Sequence, residues 1–359
     1  MHLKLTGFGF LVSAFSIAYA ASSLGMGWFL DRAGVNRGIT AAVAWWSAAA
    51  AGVGLVKGVG GLALCRAALG IGESAGVPAV GKLNGVYLKP EERALGAALN
   101  QVGISLGLAI APLSIGLAAA YSWRLPFVVV GLLGFLWIPV WWIASGRIKP
   151  QFGDLGRSRE VVRLQLLLDP SLMALMLANV LWMAGYSLWS NWTTLYLVKV
   201  HGLTLKQTAA YVWIPPLISN FGGFFGGWLS KRFMQRGLAP VAARRRAVQW
   251  SSAGCLLTLL LPLTHDARWA TAVISVSFFF LLAGSVNIYA IPIDLFGAAR
   301  SGVAISALVF SFGLMQTVIS PVFGYLAEHQ LYTAVVWIVT IPPIVSALVL
   351  KRVRETEEA

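Results

Sequence analysis

The 359-residue chain is 58% hydrophobic and only 11% charged, where a soluble domain carries about 25%, and its formal net charge is +14. This composition excludes a soluble globular domain, and because the basic residues lie in short clusters between apolar runs, it also excludes nucleic acid as their partner. Cys65 and Cys255 both fall inside apolar runs and support neither a disulfide framework nor a metal site.

Apolar stretches long enough to cross about 30 Å of hydrocarbon lie at roughly 7–30, 38–57, 60–82, 93–118, 124–145, 170–198, 209–230, 247–264, 269–291, 301–325 and 331–350. They predict an all-α polytopic membrane protein with eleven transmembrane helices. The first stretch is too long for a cleavable signal peptide and lacks a cleavage pattern. The longest polar connection, SGRIKPQFGDLGRSREVVRLQLLLDP, separates five spans from six. It divides the chain into an N-terminal half (1–145), a cytoplasmic linker (146–168) and a C-terminal half (169–359) ending in a short charged tail. With the loop after the first span placed inside, 20 of the 27 Lys and Arg residues fall in cytoplasmic segments. The expected topology is multi-pass in the inner membrane, with the C-terminus cytoplasmic and the N-terminus outside.

A repeat marks the two halves. GWFLDRAGVNRG (27–38) ends the first span and GWLSKRFMQRG (227–237) ends the seventh. Half-repeats of this kind are a transporter signature. One full span precedes the second copy and none precedes the first, so a twelve-span protein of two six-span halves would lack its first helix here. The expectation is a chain truncated, started late or naturally shortened.

The stretch CRAALGIGESAG (65–76) places Arg66 and Glu73 in an otherwise apolar span, with no other charge between Lys57 and Lys82. A charge at the bilayer centre costs at least about 2.5–3.5 kcal/mol, so the pair needs a reason. Seven residues return to within about 20° of one helix face, about 10.5 Å further along. Arg66 stays a fixed cation, and its planar fork of donors suits a carboxylate. Glu73 can take up and release a proton. A fixed cation with a titratable acid is what proton-coupled anion uptake requires; an ion pair that only holds helices together is the plainer alternative. The other acidic residues fall at span ends, in loops or in the tail, and the four histidines lie on the outer side. No metal-spaced cluster exists and no nucleophile–base pair shares the core, so an enzyme is not expected.

Further candidates are polar or aromatic. Trp182, Tyr186, Trp189, Trp192 and Tyr196 share an arc of about 120° on one helix, interrupted by Asn191. Trp189 and Asn191 are the site candidates of that wall, against a lipid-facing belt. Gln101, beside Asn100, and Asn287, beside Tyr289, are intramembrane polar residues that face either a cavity or another helix.

GMGWFLDRAGVNRG resembles the loop between helices 2 and 3 of the major facilitator superfamily. Together, SAFSIAYAASSLGMGWFLDR, CRAALGIGESAGVPA, PEERALGAALNQVGISLGLAIAPL and SWRLPF resemble its anion:cation symporter branch, which carries hexuronates, galactonate, glucarate and other organic anions. The resemblance implies the major facilitator fold, with the visible spans equivalent to helices 2–12. It implies that Arg66 binds substrate, Glu73 carries the proton and Tyr19 lines the cavity, simple packing being the alternative for Tyr19. Asp31 with Arg32 would form a gate latch, or else merely a charged helix end. The function implied is proton-coupled symport of a sugar acid, by states alternating around a midplane site between the halves. No cofactor is expected, the proton gradient being the energy source. The expected partners are the anion, protons and the bilayer, and the expected state is a monomer. A non-transporting sensor and an inactive truncated transporter are the alternatives.

Overall fold

The computed structural model describes residues 5–148 and 164–353. Within them the chain is helical, with no strand. In the first part come α1 (Leu5–Ala33), α2 (Val35–Gly52), α3 (Val59–Glu73), α4 (Gly76–Tyr87), α5 (Arg93–Ala120) and α6 (Leu125–Arg147). The second part holds α7 (Pro170–His201), α8 (Leu205–Thr208), α9 (Ile214–Gln235), α10 (Pro240–Cys255), α11 (Ala267–Ile288), α12 (Ile291–Glu328) and α13 (Tyr332–Val349).

These elements make eleven spans, as the apolar runs predict. The α3–α4 pair forms one of them, and α8 is a single connecting turn. A non-helical Gly297 (φ 69°, ψ 171°) breaks α12, so the first residues of α12 continue the α11 span and the remainder forms the next. Gly tolerates that left-handed φ without steric cost. The start of α7 is set by Asp169, whose Oδ1 accepts from Ser171 N at 2.8 Å and Leu172 N at 3.0 Å, with Pro170 in the first helical position. Asp266 caps α11 in the same way through Arg268 N and Trp269 N.

Packing divides the chain into two compact units. The first comprises Met1–Tyr87, Gly107–Leu164 and Phe296–Gly313, and the second comprises Leu88–Leu106, Gln165–Leu295 and Leu314–Ala359. In the first unit α1 lies along α3, and α2 along α6. In the second, α9 lies along α11, and α7 along α13. The α9–α11 crossing is close because its contact residues have no side chain. A Cβ on Gly222 would stand 2.0 Å from Phe279 O, and one on Gly226 would stand 2.1 Å from Ala283 O. Overpacking usually costs about 1–3 kcal/mol. Here backbone would have to move, so Gly226→Val is expected to cost at least that, read as a lowered unfolding temperature in detergent.

A charged cluster also holds the second unit. Asp294 Oδ1 accepts from Arg93 Nη1 at 2.6 Å, and its Oδ2 accepts from Arg244 Nε at 3.0 Å. Arg244 is fully buried and spends its remaining donors on Ser230 Oγ (2.8 Å) and Pro90 O. Removing one partner of such a buried pair leaves an uncompensated charge, at about 3–5 kcal/mol. Asp294→Ala is therefore expected to unfold at a markedly lower temperature than Arg93→Ala, because the Arg93 side chain is 11% exposed and Arg244 is 0%.

Candidate functional site

The α1–α3 crossing brings three of the proposed site residues together. Gly70 makes the crossing possible, since a Cβ there would lie 2.5 Å from Phe15 O. One turn before Gly70, the half-buried Arg66 places its guanidinium 5.0 Å from the Phe15 ring centroid. The Phe15 ring stacks on Tyr19, with centroids 5.7 Å apart and planes at 27°. Nearly one turn after Gly70, Glu73 lies within electrostatic range of both Tyr19 and Arg66. No ion pair within 4.0 Å joins Arg66 to Glu73 among the described residues, and neither side chain makes a hydrogen bond there. The two charges are seven residues apart on α3, and Arg66 packs on an aromatic pair from α1 rather than on Glu73.

Glu73 is also the last residue of α3. The helix breaks immediately after it because Pro78 cannot donate to the carbonyl four residues back, and its ring crowds that carbonyl. Ser74, at the break, is tied to α1 by an Oγ–Oγ contact of 3.0 Å with Ser22. A span that reads as continuous at 60–82 is thus two helices, with the proton-carrier candidate at the junction.

Asp31 is buried at the end of α1. Its Oδ1 accepts from Lys82 Nζ on α4 at 3.0 Å, and its Oδ2 accepts from Val303 N, after the Gly297 break, at 3.2 Å. Gly302 leaves it room, since a Cβ there would come 2.3 Å from Oδ1. Asp31 therefore braces three segments of the first unit. Arg32 is exposed and lies 5.6 Å over the Trp28 ring. Lys82, a cytoplasmic-segment charge by its position in the sequence, is 2% exposed and pairs inward.

The other candidates belong to the second unit. Gln101 Nε2 donates to Tyr186 OH at 2.8 Å. Asn191 is exposed, and its Nδ2 donates back to Ser187 O at 2.9 Å. Ser187 Oγ in turn donates to Gln316 Oε1 on α12. These are two separate polar contacts, one joining α7 to α5 and one joining α7 to α12. Trp189 and Trp182 take part in neither. Trp189 is 1% exposed and donates to Ser277 Oγ at 2.8 Å, and Trp182 donates to Leu281 O at 2.7 Å, so both seat α7 on α11. Asn287 is fully buried, and its Nδ2 donates to Gly226 O and Ala283 O, each at 2.9 Å, across the α9–α11 crossing. Its Oδ1 has no partner among the described residues. No group of three or more potential metal ligands occurs among the described residues.

Sequence reasoning missed Phe15, Ser22, Ser187 and Gln316. None carries a charge or a spacing that marks it, and only the crossing of distant helices brings each to its partner.

A model of the Major Facilitator Superfamily matches residues 1–287 of the chain. The chain belongs to the major facilitator superfamily. Its sequence is 23% identical to the hexuronate transporter of Escherichia coli (strain K12), across 100% of this chain and 88% of that protein. It is 28% identical to a probable sulfoacetate transporter of Cupriavidus necator, across 92% of this chain and 80% of that one. The fold matches the crystal structure of the Escherichia coli fucose:proton symporter with a TM-score of 0.75 at 13% identity, covering 98% of this chain and 92% of the other. The all-α, multi-pass reading and the resemblance stated from the sequence both hold, and this superfamily is one of transporters rather than enzymes.

Proposed function

We propose that this major facilitator protein carries a small organic anion, a sugar acid of the hexuronate or aldonate kind, in symport with protons. One observation carries the reading. Arg66 is a half-buried, permanent cation whose one close partner among the described residues is the face of the Phe15 ring. Stacking occupies the guanidinium plane and leaves its edge, with five N–H donors in a fork, open to a carboxylate. Glu73, on the same helix and without a donor among the described residues, is available to exchange a proton. Tyr19, stacked on that Phe15 ring, adds a hydroxyl on the same helix pair. The sugar-acid class is supported by the names of the relatives, hexuronate transporter among them. The Lys/Arg bias supports an inner-membrane protein with its C-terminus inside.

The test uses the full chain in proteoliposomes. With an inward proton gradient, glucuronate or galacturonate is expected to accumulate above its external concentration, and a protonophore to abolish the accumulation. Binding of the sugar acid without any flux would instead make the protein a receptor.

A further inference from the structure

A second anion site lies away from Arg66. Between the end of α9, the start of α10 and the end of α13 is a cavity of about 540 Å³, with Arg236, Arg245, Arg246 and Lys351 on its wall and no carboxylate among the described residues that line it. Four cations without an acid repel one another, so a site of this kind is relieved by a bound anion.

The neighbours of these cations identify which anion. Arg246 is followed one turn later on α10 by Trp250, which is 59% exposed. Lys351 is preceded one turn earlier by Leu348, 53% exposed, and Arg236 is followed by Leu238, 37% exposed. Phe233 lines the cavity itself. Three of the four basic side chains are thus near an apolar one that is open to the surroundings. A free phosphate would use the cations and gain nothing from the apolar flank, whereas an amphiphile uses both. An exposed Trp beside basic residues is a usual marker of the membrane–water boundary, and basic pockets between helices at such a boundary suit anionic head groups. Arg245 is held in place from behind, its Nη1 donating to Val353 O at 3.0 Å.

We propose that this cavity binds the phosphodiester head group of an anionic phospholipid, with the acyl chains lying along Trp250 and Leu348. Arg236, Arg246 and Lys351 would contact the phosphate, and Arg245 would position the end of α13. The chain beyond Val353 carries Glu355, Glu357 and Glu358, so its removal is one arm of the test.

The experiment is thermal unfolding of the full chain in detergent, titrated with phosphatidylglycerol, with phosphatidylcholine and with inorganic phosphate. Phosphatidylglycerol is expected to stabilise saturably, the other two not. Arg236, Arg246 and Lys351 are all exposed, so their combined change to Gln is expected to fold. It should weaken the response to phosphatidylglycerol about 100-fold, close to 1 kcal/mol for each charge removed near a membrane surface. Arg147→Gln, an exposed cation elsewhere, should leave it unchanged. Equal stabilisation by inorganic phosphate overturns the lipid assignment in favour of a free-anion site. An undiminished response in the triple variant overturns the site. Truncation after Val353 is expected to leave the lipid response as it is; a response that emerges only on truncation shows the tail occupying the cavity and overturns the proposal for the intact chain. Should the triple variant not fold, Arg246→Gln alone is expected to weaken the response about fivefold, and no change in it overturns the site.

Discussion

Arg66→Ala is expected to remove nearly all binding of a sugar acid, a loss of about 2–5 kcal/mol, the range for truncating one partner of a buried charge pair. The reasoning starts from desolvation. A carboxylate entering an apolar interior is costly unless a cation and hydrogen-bond donors replace its water. Arg66 is placed to do both, because no acid within 4.0 Å and no hydrogen bond among the described residues compete for it. Phe15 holds the guanidinium by its face and so fixes the direction of the fork. Arg66→Lys keeps the charge and loses both the stacking plane and the bidentate geometry, so it should fall between the parent and the alanine variant. Phe15→Leu removes the platform and keeps the charge, and is expected to weaken binding by about 0.5–2 kcal/mol. The measurement is ligand-induced thermal stabilisation with glucuronate, galacturonate and gluconate, using the uncharged sugars as controls. Alanine and parent chains that respond equally would show that Arg66 only packs α3 on α1.

Some of this was legible before any coordinates. Eleven apolar runs and two copies of a loop motif dictate the fold, because a membrane helix must satisfy its own backbone and therefore declares itself by length and hydropathy. Arg66 and Glu73 were visible for the same reason: each costs too much in hydrocarbon to be incidental. The partners of charges were not legible. Asp294 meets Arg244 and Arg93 across 50 and 201 residues of chain, and no local pattern encodes such a meeting. The α7 aromatics show the limit of periodicity. An arc of 120° says that Trp182 and Trp189 share a face with Tyr186, but it does not say what that face meets. In the fold, the two indoles bond to α11 while the Tyr186 hydroxyl meets Gln101. The helix break after Glu73 did have a signal in Pro78, but an apolar run long enough to span a membrane hides a single proline.

Glu73→Gln is expected to abolish uphill, gradient-driven accumulation while sparing exchange of substrate down its own gradient. Glutamine has the size and neutrality of the protonated acid, so a carrier locked in that form can still bind an anion at Arg66 and cycle with it bound. What it loses is the proton's entry and exit, and with them the link between the pH gradient and the direction of transport. The position supports this division of roles. Glu73 closes α3 at a break whose far side, Ser74, is fastened to Ser22 on α1. No ion pair within 4.0 Å joins it to Arg66 among the described residues, and the Arg66 guanidinium lies instead over the Phe15 ring. Proton and substrate can therefore occupy neighbouring positions on one helix pair without either side chain having to release the other first. If the acid served merely to neutralise Arg66, removing its charge would strengthen anion binding and leave coupling intact. The two cases separate in a single pair of assays in proteoliposomes: accumulation under an imposed pH gradient, and counterflow with substrate loaded inside and no gradient. Loss of the first with retention of the second assigns the proton to Glu73. Full accumulation by the glutamine variant would take it away.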